Sequence, residues 1–520
     1  MALSGTRPSQ YKSSHYEAKR TLIRSRARQR QRAKRLQQQV DALKAENEQL
    51  RQSLHQVEEQ LQVIRTLQPL EDGASLHDGI ATRLLEMPIA GHKFAARMIA
   101  LCIDLANQIG FRPAEAALTT VVDALGLPVK VPSHDVIRIW HGRVGVAEMQ
   151  DTFRKDQDVL WMADHSSQIG KEKVLLIIGI LLEDLPKPGE TLTLEDMRVL
   201  AVVPGEQWKK EDVGREYRKL AERIGAPRFL VCDGATELQE PAKELEKDGI
   251  KTVVLTDLKH YAANVLEKLV GRSERFKSFL SEVGLTRNRV QQTELSRLVP
   301  PPLKPKSRFM NLSELLCWAR MISCLLDHPN DVALEGISEE RLNEKLGWLR
   351  EYCEDIECWS ACQTVINATL KFINHQGLSM GTTDQLRQEL ARVMSGLPVG
   401  NETVNRVRDS LVDFVQQSEK KLKVGQRAWL STEIIESLFG KYKRLEGQHS
   451  KGGFTSLIAS FATLCCSTDP AHIRRRLREV STPDLKKWVK DTIGQTLTAL
   501  RTLAYREYAR ITAGQVSQAN

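Results

Sequence analysis

The sequence predicts an α/β protein: a sheet-bearing core, split by an all-α insertion and preceded by a coiled coil and a small helical domain. Three observations predict it. A heptad repeat runs from Leu36 to Ile64. Five apolar stretches of strand length fall between residues 159 and 255, with helical stretches between the later ones. A Leu-rich, wholly helical pattern then fills residues 309–425 before an amphipathic helix begins near Ser431. At 520 residues the chain exceeds one ordinary core, and 41% hydrophobic residues suffice for several. The longest apolar run, Val174 to Leu182, is strand-sized and too short to span a bilayer, so no membrane partner is expected. The basic N-terminus lacks the apolar segment of a secretory signal. Nine cysteines without framework spacing point to a reducing, cytoplasmic compartment.

Charge is unevenly spread. Residues 1–35 carry eleven Lys/Arg against Glu17 alone, a local +10, so the rest of the chain sums to −1 of the total +9. A basic arm on a nearly neutral body is a footprint for nucleic acid; the plain alternative is a solvated tail. In residues 36–70, Leu36, Leu43, Leu50, Val57 and Ile64 take d positions, and Val40, Asn47, Leu54 and Leu61 take a positions. A repeat of 3.5 keeps that seam on a partner helix, and one Asn at an a position favours a parallel dimer in register. No Gly or Pro interrupts before Pro69. A homodimer, or a higher oligomer, is therefore expected through residues 36–67. Arg24, Arg26, Arg28, Arg30, Arg32, Lys34 and Arg35 would continue the same helix onto the phosphates of double-stranded DNA. The layout resembles a basic leucine zipper but lacks that family's Asn-plus-Arg base-reading signature. The other reading is a zipper that only oligomerises.

Residues 71–150 read as a helical, helix-turn-helix-like DNA-binding domain. A helix over 92–109 meets a break at Gly110-Phe111-Arg112-Pro113. A second helix spans Glu115 to Leu125, and Ser133 caps a third that carries Val136, Ile137 and Trp140 on one face. Arg138 and Arg143 on this third helix are candidate DNA contacts, against the alternative of a packing domain.

The core opens at residue 151. Strands are predicted at Val159–Ala163, Val174–Leu182, Val199–Val203, Phe229–Cys232 and Thr252–Leu255, with helices at 211–224 and 238–247. Three strands, then helix, strand, helix, strand, is the order of an RNase H-like fold. In that fold the first and fourth strands are neighbours, so Asp164 and Asp233, each just after its strand, would meet. Either acid alone is more often a turn or cap residue; the joint placement makes them candidates. Asp257 and His260 form an Asp-x-x-His after the fifth strand. They either support the site or cap the next helix. His165 has a useful position beside Asp164.

A third acid arrives late. Ser431-Thr432 can cap a helix whose buried stripe is Ile434, Ile435, Leu438, Phe439 and Tyr442. Glu433, Glu436, Gly440 and Lys443 share another face. Phosphodiester cleavage needs an activated water or 3′-hydroxyl and a neutralised leaving oxygen, and two Mg²⁺ ions about 3.5–4 Å apart supply both. Hard cations take oxygen ligands. The expected set is therefore Asp164 bridging two Mg²⁺ (Mn²⁺ can substitute), with Asp233 and Glu436 holding one each. Glu433, one turn away, is the rival third acid. Lys441 and Lys443 are candidate phosphate contacts on the same helix.

Here a family resemblance enters. The segments Trp161-Met-Ala-Asp-His-Ser-Ser-Gln-Ile-Gly-Lys-Glu-Lys173, Val231-Cys-Asp-Gly-Ala-Thr-Glu-Leu238, Thr256-Asp-Leu-Lys-His260, Pro300-Pro-Pro-Leu-Lys-Pro-Lys-Ser-Arg-Phe-Met-Asn311 and Glu436-Ser-Leu-Phe-Gly-Lys-Tyr-Lys443 resemble a family of bacterial insertion-sequence DDE transposases, over residues 110–470. The Glu436-to-Lys443 spacing matches several such families. The Tyr and Arg that precede this Glu in one of them are missing, and Thr432 stands where the Arg would be. The resemblance implies a catalytic Asp164, Asp233 and Glu436, cleavage and strand transfer at mobile-element ends, and a bacterial, nucleoid-associated protein.

The core thus divides into residues 151–300 and 426–470, around an all-α insertion at 301–425 and ahead of C-terminal helices at 471–520. Several DDE transposases carry such an insertion, where it can hold DNA. Its Cys317, Cys324, His328, Cys353, Cys358 and Cys362 include no Cys-x-x-Cys pair, so buried core cysteines are expected over a zinc site. Lys304, Lys306 and Arg308 in the linker, and Arg474-Arg475-Arg476, are further candidate phosphate contacts. Two rival readings remain: a non-catalytic DNA-binding regulator and a structure-selective nuclease.

Overall fold

The computed structural model describes residues 76–520 except 152, 170–171, 206, 303–311, 329–335, 398–400, 448–455, 495–496 and 519–520. The basic arm with Arg24 to Arg35, the coiled coil of 36–70, and Lys304, Lys306 and Arg308 lie outside the described residues. Two compact units divide between Ile137 and Arg138.

The first unit contains α1 (Leu76–Leu85), α2 (Ala96–Ile109) and α3 (Phe111–Ala124). Met98, Ile99, Cys102, Ile103 and Ala106 of α2 are buried, as are Phe111, Ala114, Leu118 and Val122 of α3. That three-and-four spacing is the apolar stripe of an amphipathic helix. The expected break is a single residue, Gly110, whose φ of 90° suits a residue without Cβ. Pro113 falls in the first turn of α3, where a missing N–H is harmless. Glu115 Oε2 then accepts the backbone N–H of His134 at 2.8 Å and faces its Nδ1 at 2.5 Å, fixing the head of α4 (His134–Gln150).

In the second unit, every residue of α4 from Trp140 to Ala147 is buried. Glycines permit this. A Cβ on Gly145 would stand 1.9 Å from the carbonyl oxygen of Ala459, so only Gly fits that approach.

The sheet follows. Its elements are β1 (Val159–Ile169), β2 (Glu172–Leu181), β3 (Arg198–Gly205), α5 (Lys210–Ile224), β4 (Phe229–Cys232), α6 (Thr236–Ala242), a small hairpin of β5 (Glu246–Lys247) and β6 (Ile250–Lys251), and β7 (Val253–Thr256). Strand order is β3-β2-β1-β4-β7. β1 runs antiparallel to β2, and β2 to β3, while β1, β4 and β7 are parallel. This mixed α/β arrangement is compatible with an RNase H-like core. The helix expected over 238–247 stops at Ala242. Asp248 and Gly249 both take positive φ, 54° and 76°, and turn the chain into the hairpin instead.

Val159, Trp161 and Ala163 pack with Leu230 and Cys232 against Val213, Tyr217, Leu220 and Ile224 of α5. The two-residue period of a strand sends Leu160, Met162 and Asp164, and Phe229, Val231 and Asp233, to the opposite face.

After β7 the chain is helical: α7 (Leu258–Leu266), α8 (Glu274–Val290), α9 (Leu312–Asp327), α10 (Glu339–Leu346), α11 (Cys353–Gln376), α12 (Thr382–Met394) and α13 (Glu402–Glu419). Helix α8 precedes residue 301 yet packs into this bundle, with Phe276 edge-on to Trp359 at 4.9 Å between ring centroids. The expectation of buried cysteines fits Cys362; Cys317 and Cys324 are exposed, and Cys353 and Cys358 half-buried. Their helices turn those positions outward.

The chain then returns to the sheet in α14 (Glu433–Gly447), which packs on β1. Ile435, Leu438, Phe439, Tyr442 and Leu445 are its buried stripe, while Ile434 is half-buried. Each such side chain contributes about 1.5–3 kcal/mol on burial. Tyr442 stacks on Phe461 of α15 (Ser460–Thr463) at 4.0 Å. Helices α16 (Pro470–Glu479), α17 (Thr482–Ile493) and α18 (Leu497–Gln518) end the fold. Among the described residues, no helix is long and apolar enough to cross a membrane.

Candidate active site

Strand register sets three acids abreast. Ala163 pairs with Cys232, and Cys232 with Thr256. The next residues are Asp164, Asp233 and Asp257, at the same level of three parallel strands.

Asp164 and Asp233 crowd each other on the face opposite α5. Burial, and then the Asp233 charge, push the Asp164 carboxyl up to about 6; His165 and His260 oppose this only in part. Asp164 Oδ1 accepts the His165 N–H at 2.7 Å. Asp233 Oδ1 accepts the Ala235 N–H at 2.9 Å, an Asx-type turn that starts α6. Gln239 Nε2 donates to the Asp233 carbonyl at 3.2 Å and to Thr256 Oγ1 at 2.9 Å, tying β4 to β7.

Asp257 has a different task. It is 1% exposed. Its Oδ1 accepts the His260 N–H at 2.7 Å and faces His260 Nδ1 at 3.0 Å. Its Oδ2 accepts the Thr432 N–H at 2.6 Å and the Thr432 hydroxyl at 2.9 Å. Burial alone would raise this carboxyl, but the bonds from His260 and Thr432 hold it below the ordinary aspartate range. Of the two readings of Asp257, the helix cap is the one the geometry displays, because all its close partners are donors of the fold. The Leu258 N–H also donates to the Leu430 carbonyl at 2.8 Å. These bonds stitch the end of β7 to the start of α14 and so aim the late helix at the sheet.

His260 stands among carboxylates. Its bond to Asp257 raises its pKa, and the charges of Asp233 and Glu436 push the same way. The charges of Asp233 and Glu436 thus both reach His260. Glu436 Oε2 lies 2.8 Å from Lys259 Nζ, which also lies 3.1 Å from Glu433 Oε1. The other oxygen of Glu433 accepts from Asn374 Nδ2 of α11 at 2.7 Å. Lys259 thus pairs with both rivals, and Glu433 also accepts from the helical insertion. Lys259, Thr432 and Asn374 were not singled out as functional residues from sequence. Lys259 lies inside the Asp-x-x-His stretch, and Thr432 marks the position of the missing Arg.

Other candidates are placed elsewhere. His165 follows Asp164 on the strand and so turns to the α5 face, with Nε2 3.2 Å from Glu237 Oε1. Lys443 is exposed and Lys441 half-buried on α14; Arg138 is half-buried. Arg143, expected on DNA, is instead buried, donating from Nε to the Val480 carbonyl at 2.7 Å and from Nη2 to the Leu477 carbonyl at 2.6 Å. It satisfies the carbonyl end of α16, as cations do at helix C-termini. Arg476 is likewise buried, paired with Glu148 at 2.8 Å, Glu479 at 3.0 Å, and Asp151. Arg475 is exposed.

Among the described residues, the group of three His, Cys, Asp or Glu ligand atoms that lie within 4.8 Å of one another is Glu148, Cys466 and His472, not the three acids; the acids do offer the oxygen donors that a hard divalent cation takes. The Asp233 charge opposes ionisation of Asp164 on one face, and Glu436 is on the helix packed on β1. That repulsion is what a cation would relieve.

No protein-family model matches the chain, and no curated protein matches it by sequence. Among solved structures, the Drosophila P element transposase strand transfer complex is similar, at 14% identity over 84% of this chain and 98% of that chain, with a TM-score of 0.37. At that score the likeness carries no argument; the sheet order and the acids do.

Proposed function

We propose that the chain is a DDE-type DNA transposase that cleaves element ends and joins the freed 3′-hydroxyl to target DNA. The observation that carries this reading is the Asp164–Asp233 pair, abreast on neighbouring parallel strands and sharing charge repulsion. Asp164, Asp233 and Glu436 would hold the Mg²⁺ ions, which Mn²⁺ could replace. Bound there, the metals would supply an activated nucleophile and a neutralised leaving oxygen. The chain's own residues do the rest. The Asp257 clamp on Thr432 holds α14 in place, and Asn374 ties Glu433 to the helical insertion. Lys441 and Lys443, one and two turns beyond Glu436, would steady the DNA backbone. A dimer through residues 36–67, with its basic arms on DNA, would bring two ends together.

The test is a cleavage and strand-transfer assay with full-length protein, linear DNA carrying the inverted repeats that flank its gene, and Mg²⁺. Asp164→Ala, Asp233→Ala and Glu436→Ala should each abolish cleavage and joining while sparing end binding. Full activity in any one removes that residue from the site. Cleavage without joining would favour a structure-selective nuclease. Binding with no Mg²⁺-dependent cutting by the wild type would favour a DNA-binding regulator.

A further inference from the structure

Glu433 is held from both sides, and the chain of contacts ends on Glu436. Asn374, half-buried on α11, donates Nδ2 to Glu433 Oε2 at 2.7 Å. Lys259 Nζ lies 3.1 Å from Glu433 Oε1 and 2.8 Å from Glu436 Oε2. Lys259 is the second residue of α7, two positions after the buried cap Asp257. The Oδ1 of Asn374 is buried and has no partner among the described residues, so its Nδ2 bond to Glu433 is what orients the amide. Four side chains from three separate elements (α11, α7 and α14) therefore meet in one line.

We propose that Asn374, Glu433 and Lys259 are positioning residues: a hydrogen-bonded relay that fixes the Glu436 carboxylate, so that the placement of the all-α insertion is read at the third acid. The proposal rests on the metal-site reading above. A free glutamate has three soft torsions, and metal binding must immobilise them. An ammonium anchored by Glu433 holds Oε2 of Glu436 beforehand and leaves Oε1 for the cation. Groups that orient a metal ligand in this way govern affinity without touching the metal. A mere latch between insertion and core would stabilise the fold and leave metal affinity unchanged.

The experiment is Mn²⁺ titration of the full-length protein, followed by the electron paramagnetic resonance signal of free Mn²⁺ near neutral pH, with folding checked by circular dichroism. Lys259→Met should weaken Mn²⁺ binding by about tenfold. Asn374→Ala, at the far end of the relay, should shift it in the same direction, and it carries the test alone if Lys259→Met does not fold. Lys259→Arg should restore most of the affinity. The double variant should bind no more weakly than Lys259→Met alone, because both break one relay. Wild-type affinity in Lys259→Met or Asn374→Ala, or additive losses in the double variant, would overturn the relay. Asp164→Asn serves as the separate control: if it leaves Mn²⁺ binding intact, the metal-site reading itself fails, whatever the relay variants do.

Discussion

Asp257 accepts both the amide and the hydroxyl of Thr432, 175 residues further along the chain, at 2.6 and 2.9 Å. This contact is where the polypeptide, after leaving the sheet for a long helical excursion, is fastened back onto it. A buried carboxylate with four donors is stable only while those donors remain.

The first prediction concerns that clamp. Asp257→Ala would orphan the donors of His260 and Thr432 in a buried place. Each hydrogen bond to a charged acceptor is worth about 1.5–3 kcal/mol, so the loss should be on the order of 3 kcal/mol or more. Thr432→Val removes only the hydroxyl bond and should cost about 1–2 kcal/mol, while Thr432→Ser stays near the wild type. Urea unfolding measures all three. Equal stability of Asp257→Ala and the wild type would show the clamp to be idle.

Two glycines of α4 should behave differently. A Cβ on Gly145 meets a backbone carbonyl at 1.9 Å, whereas one on Gly142 meets the flexible end of Leu485 at 3.0 Å. Gly145→Ala should destabilise by about 3 kcal/mol or more, and Gly142→Ala by about 1 kcal/mol or less. Thermal unfolding of the pair decides it, and the reverse ranking would contradict the packing of α4 on Ala459.

Stability should also depend on pH through Asp164. Its folded-state pKa is raised to about 6, so the fold favours the protonated carboxyl. The contribution is full below the ordinary aspartate value of about 4 and is lost as pH rises through about 6, a change on the order of 3 kcal/mol. In metal-free buffer, unfolding free energy should fall between these values. Asp164→Asn should flatten that part of the profile and stabilise the protein at pH 7. A stability that rises through this window because of Asp164 would reverse the argument.

Arg143 and Lys443 should separate folding from DNA contact. Arg143→Met leaves two buried carbonyls without their donor and should cost about 2–4 kcal/mol, with no change in the salt dependence of DNA binding. Lys443→Ala should leave stability unchanged, weaken DNA binding, and lower the salt slope by about one ion. Fluorescence anisotropy across a salt series, paired with unfolding curves, distinguishes them.

How much of this was legible follows from the length scale of each signal. The strand pattern and the positions of Asp164 and Asp233 were readable because a two-residue period and a strand end are local features. So was the stripe of α14. The Asp248-Gly249 pair is a turn signal, but the helical pattern runs past Ala242 up to it, so the sequence favours a helix where the structure has a hairpin. Arg143 misled for another reason. A cation on a helix looks the same in sequence whether it faces solvent or a helix end, and only the close approach at Gly145 decides which. The roles of Lys259, Thr432 and Asn374 exist only in contacts between distant segments, which no window of sequence contains.

The late arrival of α14 has a consequence for synthesis. The sheet and its two crowded aspartates are complete once Thr256 has been made, yet the helix that covers that face starts at Glu433. While the intervening bundle is being translated, the nascent chain carries an uncovered sheet face and a repelling acid pair with no third member. The proposed transposase site therefore cannot assemble on the ribosome until the Glu433–Gly447 helix has emerged, a delay that would keep the proposed DNA-cutting activity silent in every truncated product ending before residue 433.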